Sequence, residues 1–327
     1  MSLISVCDLH KEFQIRKRAK GFWNNLSSLF SREYTSKVAL DRISFDVHEG
    51  EIVGYIGPNG AGKSTTVKIL SGILVPDGGQ VKVFGKTPWE HRIETVSQIG
   101  VVFGQRTQLW WDLPVIDSFE LLKEIYRIPT ATYQTMLDSL CEALSLHKLL
   151  DIPVRQLSLG QRMRCDLAAA LLHAPKILFL DEPTIGLDAV SKLAVRDFIR
   201  RLNREHRTTV MLTTHDMDDI EALCDRIIVL NEGRIFYEGT LDGLRKQIAP
   251  EMRLMVDLVN AGELIEDLAV LSTRQEGHRV WLTFNPEQIS APELIARIVA
   301  KHAVRDLVVQ PPPIEEIIAA LYREANL

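Results

Sequence analysis

The sequence predicts an α/β fold around a parallel sheet, with a smaller α+β unit at its C-terminal end, on three observations. Ile52-Val53-Gly54-Tyr55-Ile56 reads as a short buried strand that runs into Gly57-Pro58-Asn59-Gly60-Ala61-Gly62-Lys63-Ser64. From Thr65 to Leu74, apolar Val67, Leu70, Ile73 and Leu74 then recur at helical spacing. Further on, the apolar run Ile177-Leu178-Phe179-Leu180 ends in Asp181-Glu182, as a central strand covered on both faces would. Beyond about residue 247 the pattern changes to alternating strands over 253–259, 269–274, 280–284 and 304–309. Short helices over Gly262 to Leu268 and Ala291 to His302 complete an order close to β-α-β-β-α-β, a ferredoxin-like module.

The glycine-rich loop carries the first chemistry. Its glycines let consecutive backbone N–H groups point inward and form a concave anion site that bulkier residues would block. The following helix turns its partially positive N-terminus to the same place. Gly57, Pro58, Asn59, Gly60, Ala61, Gly62, Lys63, Ser64 and Thr65 are therefore the candidate phosphate-binding residues. Lys63 supplies a mobile point charge for β- and γ-phosphates, and the Ser64 hydroxyl is placed to ligate magnesium. The carboxylates of Asp181 and Glu182 sit where open α/β sheets bind ligands, at a strand's carboxyl end. Asp181 is expected to hold the magnesium through water, and Glu182 to orient or deprotonate an attacking water.

Between these two elements lies Leu157-Ser158-Leu159-Gly160-Gln161, a helix's length before the acidic strand. With the three elements in this order, the chain resembles the ATP-binding subunit of an ABC transporter over roughly its first three quarters. The resemblance implies a P-loop NTPase core with a helical subdomain, using ATP and Mg2+. It matches Gln105 to the Q-loop glutamine, which reaches the metal and reports occupancy; Gln108, with shorter spacing to Leu113, is the alternative. It matches Gly186-Leu187-Asp188 to the D-loop, and His215, after Thr209-Val210-Met211-Leu212, to the H-switch that fixes transition-state geometry.

The family's pentapeptide is most often Leu-Ser-Gly-Gly-Gln, so Leu159 departs at the third position, while Ser158, Gly160 and Gln161 keep the hydroxyl, the close backbone approach and the helix start. In the family's arrangement two cassettes pack head to tail, and Ser158 and Gly160 of one cover the γ-phosphate held by Lys63 of the other. The implied partner is a second cassette, either another copy or a related subunit.

Composition agrees with an intracellular ATPase. A length of 327 residues suits about two domains. The net charge of −5, with no large basic block, argues against nucleic acid as a partner. Cys7, Cys141, Cys165 and Cys224 lack metal-ligand spacing and read as reduced thiols. No apolar run reaches membrane-spanning length and the start lacks a secretory pattern. Transmembrane work is thus assigned to a separately encoded permease, with this chain peripheral on the cytoplasmic face of the inner membrane.

Three further regions bear on that assignment. Within a cassette spanning 1–246, residues 106–165 form the expected helical subdomain, with helices over Ser118 to Arg127 and Thr132 to Leu150. At its entrance one of Trp110 and Trp111 is expected in the local core, and the other in a groove that receives a permease coupling helix. Residues 16–37 hold Arg16, Lys17, Arg18 and Lys20 before Phe22, Trp23, Leu26, Leu29 and Phe30. They read either as a basic amphipathic helix for a bilayer surface or permease groove, or as a solvated loop with a helix packed on its own domain. Phe13 is the preferred base-stacking aromatic, with Tyr34 as the alternative. Residues 247–327, including Pro311-Pro312-Pro313 and the acidic helix start Ile314-Glu315-Glu316, resemble the C-terminal extension of ATPases serving ABC-2 type exporters. Dimer contact or regulation is the role expected of that extension, and ligand sensing the alternative. The resulting expectation is an energy-coupling exporter ATPase. Its rivals are an importer ATPase and a soluble ABC ATPase of translation or DNA maintenance.

Overall fold

Strands buried on both faces place the parallel sheet at the centre of the larger of two units. The computed structural model describes residues 2–16, 34–103, 106–248, 251–260 and 262–325. It divides into Met1–Glu238 and Gly239–Leu327. In the first unit, β3 (Ile52–Ile56), β5 (Ile99–Phe103), β6 (Ile177–Asp181), β7 (Thr209–Thr214), β8 (Arg226–Asn231) and β9 (Arg234–Gly239) form a six-stranded sheet ordered β5-β6-β7-β3-β8-β9. The pairings from β5 through β8 are parallel. Ile177, Leu178, Phe179 and Leu180 are wholly buried, as the continuous apolar run requires. Parallel register aligns Phe103 with Asp181, Asp181 with Thr213, and Ile56 with Thr214, so four strands deliver their carboxyl ends to one edge.

A second, antiparallel sheet orders β2 (Tyr34–His48), β1 (Ser2–Arg16) and β4 (Gly78–Val83). The β1–β2 hairpin runs further than the sequence suggested. Arg16 pairs with Tyr34 and Phe13 with Lys37, so the ends of the expected amphipathic segment are strand. Ladder hydrogen bonds satisfy the backbone there, which outweighs the helical spacing of the side chains. Residues 17–33 lie outside the described residues.

Helix α1 (Lys63–Leu70) follows the glycine-rich loop, and α2 (Arg92–Val96) precedes β5. The helical subdomain comprises α3 (Val115–Tyr126), α4 (Thr130–Leu144) and α5 (Leu159–Leu171). The expected helix to Leu150 stops at Leu144 because Ser145 turns left-handed, with φ 54°. Both tryptophans are exposed, Trp110 at 39% and Trp111 at 48%, so neither fills the local core; Leu109, at 4%, does. The Trp111 ring lies 5.5 Å from the Arg162 guanidinium of α5. Helices α6 (Ala189–His206) and α7 (Met217–Leu223) flank β7 in sequence.

In the second unit, α8 (Leu241–Ile248), β10 (Met252–Leu258), β11 (Val270–Glu276), β12 (Arg279–Phe284), α9 (Ala291–Val299), β13 (Val304–Gln310) and α10 (Ile314–Ala325) follow in order. The sheet is antiparallel throughout, ordered β11-β12-β10-β13. Residues 241–246, read with the cassette from sequence, group here because α8 packs on α10. The helix expected over Gly262 to Leu268 is absent: the described residues there form an irregular segment. Leu264 and Leu268 are exposed and Ile265 alone is buried, so the segment has too little apolar surface to hold a helix face down. Side chains brace it instead, with Asn260 Nδ2 donating to Glu263 Oε1 (2.8 Å) and His302 Nδ1 lying 3.2 Å from Glu263 Oε2. Ile265 joins Leu254, Val280, Leu282 and Leu294 in the core. Ile265→Ala is expected to destabilise the chain by about 2–5 kcal/mol in chemical denaturation; a change under about 0.5 kcal/mol would mark the residue as solvated.

Candidate active site

The aligned strand ends assemble a cavity of about 790 Å³. At the end of β3, Gly62 takes φ 111°, and a Cβ there would lie 2.6 Å from Ala39 O, so only glycine fits this turn. Ala61 is buried beneath the loop. The Lys63 ammonium folds back onto Gly57 O (2.6 Å) and Pro58 O (3.2 Å). Burial pulls it below the ordinary lysine range, against the opposing charges of Glu182 and Asp181. Asn59, Gly60, Gly62, Lys63, Ser64 and Thr65 line the cavity directly.

Ser64 Oγ donates to Asp181 Oδ2 at 2.9 Å, and Thr213 on β7 donates to Asp181 Oδ1. A serine hydroxyl and one carboxylate are hard oxygen donors. That set fits Mg2+, which keeps several waters and shares its remaining positions with phosphate oxygens. Next to it Glu182 adopts φ 58°, a left-handed conformation that costs a non-glycine residue roughly 1–3 kcal/mol. The Glu182 N–H donating to Thr213 O (2.8 Å) holds it there. His215 Nδ1 then lies 2.7 Å from Glu182 Oε2, with the imidazole largely exposed. Asp181, Glu182 and His215 thus share one wall.

Phe13, Lys37 and Ala39 also line the cavity. Phe13 is 37% exposed, with Lys11 Nζ 5.5 Å from its ring. Tyr34 takes the strand position facing Arg16. Gln105 lies outside the described residues. The alternative, Gln108, is committed elsewhere: its Nε2 donates to Asp166 O (2.9 Å) and its N–H to Asp166 Oδ1 (3.1 Å). Sequence reasoning missed Lys37, Lys68 and Arg106, which also line the cavity. Arg106 had one signal, its place directly after Gln105. Lys37 had none, because it reaches the site only through the long β1–β2 hairpin.

The pentapeptide stands apart from this cavity. Ser158 caps α5 reciprocally with Gln161: Ser158 Oγ accepts from the Gln161 N–H (3.2 Å) and Gln161 Oε1 from the Ser158 N–H (2.9 Å). Asp188 caps α6 through the Ser191 N–H (2.9 Å). A Cβ on Gly160 would lie 2.9 Å from Ser191 Oγ, so the two helix starts touch. Leu159 Cδ2 lies 2.7 Å from where a Gly186 Cβ would stand. The unusual third residue therefore seats on the 186–188 loop of its own chain. None of Ser158, Gly160, Gln161 and Asp188 lines the cavity.

A parallel sheet whose strand ends carry a glycine-rich anion loop, a metal-fitting carboxylate and a Glu–His pair defines a P-loop nucleoside triphosphatase. Residues 40–185 match the ABC transporter domain family. The chain is 38% identical over 240 residues to the daunorubicin resistance ATP-binding protein DrrA3 of Streptomyces coeruleorubidus, spanning 73% of this chain and 75% of that one. It is 35% identical over 208 residues to the Nod factor export ATP-binding protein I of Ralstonia nicotianae, spanning 64% of each. Among solved structures it resembles an ATP-binding subunit of an ABC transporter (TM-score 0.62, 27% identity, 75% of this chain and 93% of that one). It also resembles the dimeric, post-hydrolysis cassette MJ0796 bound to ADP and Pi (TM-score 0.60, 26% identity, 73% and 98%). The chain belongs to the ABC transporter ATP-binding family and is an ATPase of that family.

Gly186 takes φ 71° with Leu159 against it, so Gly186→Ala is both strained and overpacked. It is expected to lower stability by about 1–3 kcal/mol, read as a fall in melting temperature.

Proposed function

We propose that this chain is the energy-coupling ATPase of an ABC-2 type exporter. It works as a dimer of cassettes against a separately encoded permease on the cytoplasmic face of the inner membrane. One observation carries the dimer: Lys63, Ser64, Asp181, Glu182 and His215 share a cavity, whereas Ser158, Gly160, Gln161 and Asp188 do not line it. A head-to-tail pair completes each site with the partner's pentapeptide, so that ATP is buried between the cassettes and its hydrolysis weakens the interface. Names of relatives, drug resistance in one case and Nod factor export in another, support export over import. No helix among the described residues is long and apolar enough to cross a membrane, which agrees with a permease on another chain.

Loop amides from Gly57 to Thr65 hold the phosphates, and Lys63 exchanges its carbonyl partners for β- and γ-phosphate oxygens. Ser64 and Asp181 hold Mg2+, which when bound neutralises charge developing on those oxygens. Glu182 accepts a proton from the attacking water, and His215 keeps the carboxylate aimed through its Nδ1 contact. Gln105, matched to the family's Q-loop glutamine, would reach the metal and report occupancy to the helical subdomain. There Trp110 and Trp111 offer apolar surface to a permease coupling helix. Phe13 stacks on the base.

Glu182→Gln keeps the side chain's shape and removes the proton acceptor. Its turnover is expected to fall about 10²- to 10⁴-fold while ATP binding persists, and ATP, but not ADP, is expected to accumulate a dimer in size-exclusion chromatography. Turnover at the unsubstituted rate would remove Glu182 from the catalytic role. Isolated from native membranes, the chain is expected to co-purify with a multi-spanning permease. Recovery only with ribosomes or DNA would overturn the transport assignment.

A further inference from the structure

We propose that Arg106 reads the terminal phosphate of the bound nucleotide, a role that rests on the nucleotide site proposed above. Phe103, the last residue of β5, stands beside Asp181 in the parallel register. The Arg106 N–H donates to Phe103 O at 2.9 Å and closes a bridge, which pins the Arg106 backbone at the acidic edge of the sheet. Its side chain is exposed and lines the same cavity as Lys63, Ser64, Asp181, Glu182 and His215.

The charged groups at that edge already have partners within the chain. Lys63 holds Gly57 O and Pro58 O, Asp181 accepts from Ser64 and Thr213, and Glu182 meets His215. The Arg106 guanidinium has no ion pair or side-chain hydrogen bond among the described residues. A terminal phosphate brought to this edge meets two carboxylates, and Lys63 and a divalent cation must also serve the β-phosphate. A planar guanidinium adds a fixed positive charge and a two-pronged donor matched to phosphate oxygens. The remaining cations serve other parts of the nucleotide: Lys37 pairs across the hairpin with Phe13, and Lys68 lies a turn along α1 from Ser64. Arg106 therefore distinguishes ATP from ADP.

The test is nucleotide titration of the full chain in a Glu182→Gln background, where turnover does not consume ATP. Arg106→Ala is expected to weaken ATP binding about ten- to hundredfold and to leave ADP binding within about twofold, which also shows that the pocket is folded. Arg106→Lys is expected to recover less than half of the lost affinity on a logarithmic scale. Equal loss for both nucleotides, no loss for ATP, or full recovery by lysine overturns the proposal. If the chain without the arginine substitution binds neither nucleotide, the underlying site assignment fails instead.

Discussion

The hydrogen bond from Ser64 to Asp181 ties α1, the helix that follows β3, to β6, a strand that is not a neighbour of β3. β7 lies between β6 and β3, yet the first turn of α1 reaches across it to the acidic strand end. Thr213 of β7 fills the gap and holds the other Asp181 oxygen. The reach depends on register. A one-residue slip between β6 and β7 would turn Thr213 to the opposite face and leave a charged oxygen without its donor. Central strands buried on both faces make that slip costly, so the apolar runs that form the core also set the spacing of the side chains that line the cavity. Strain at Glu182 follows from the same frame, because its N–H is claimed by Thr213 O and its side chain is left facing the cavity.

Much of this site was legible because its parts are local in sequence. A loop that requires glycine at Gly62, a strand that ends in two carboxylates and a histidine after a buried strand are each written within a few residues. The pentapeptide was legible for the same reason, and its capping box follows from Ser158 and Gln161 at the spacing of a helix start. What stayed hidden depends on distant pairing. Lys37 lines the cavity from the long β1–β2 ladder, where it pairs with Phe13, and the seat of Leu159 on Gly186 joins segments separated by a helix and a strand. Periodicity misled where few apolar residues had to decide. The segment from Gly262 to Leu268 has helix-compatible spacing but a single buried anchor, and hydrogen bonds to neighbouring elements replaced the helix. The paired tryptophans show the converse, since large apolar side chains need not mark a core when smaller Leu109 fills it.

Asp166 links the segment that follows Arg106 to the helix that the pentapeptide begins. This α5 carboxylate is nearly inaccessible, and burial pushes its pKa up to about 6, against the hydrogen bonds from Thr107 and Gln108. Thr107 Oγ1 donates to it at 2.7 Å and the Gln108 N–H at 3.1 Å. Hydrophobic residues of similar size would pack there at lower electrostatic cost, so the polar link needs another reason for its place. What it does is join two segments. Thr107 and Gln108 directly follow Arg106 at the acidic edge, and Asp166 lies two helical turns from Ser158 on the helix that the pentapeptide begins. The 106–108 segment is therefore tied to α5 through a buried acceptor. At the start of that helix, Leu159 lies against Gly186 and Gly160 against Ser191, so α5 is seated on the 186–188 loop and on the start of α6. The pentapeptide and the 186–188 loop consequently pack as one surface. A chain with glycine at position 159 would lose the first of those two contacts.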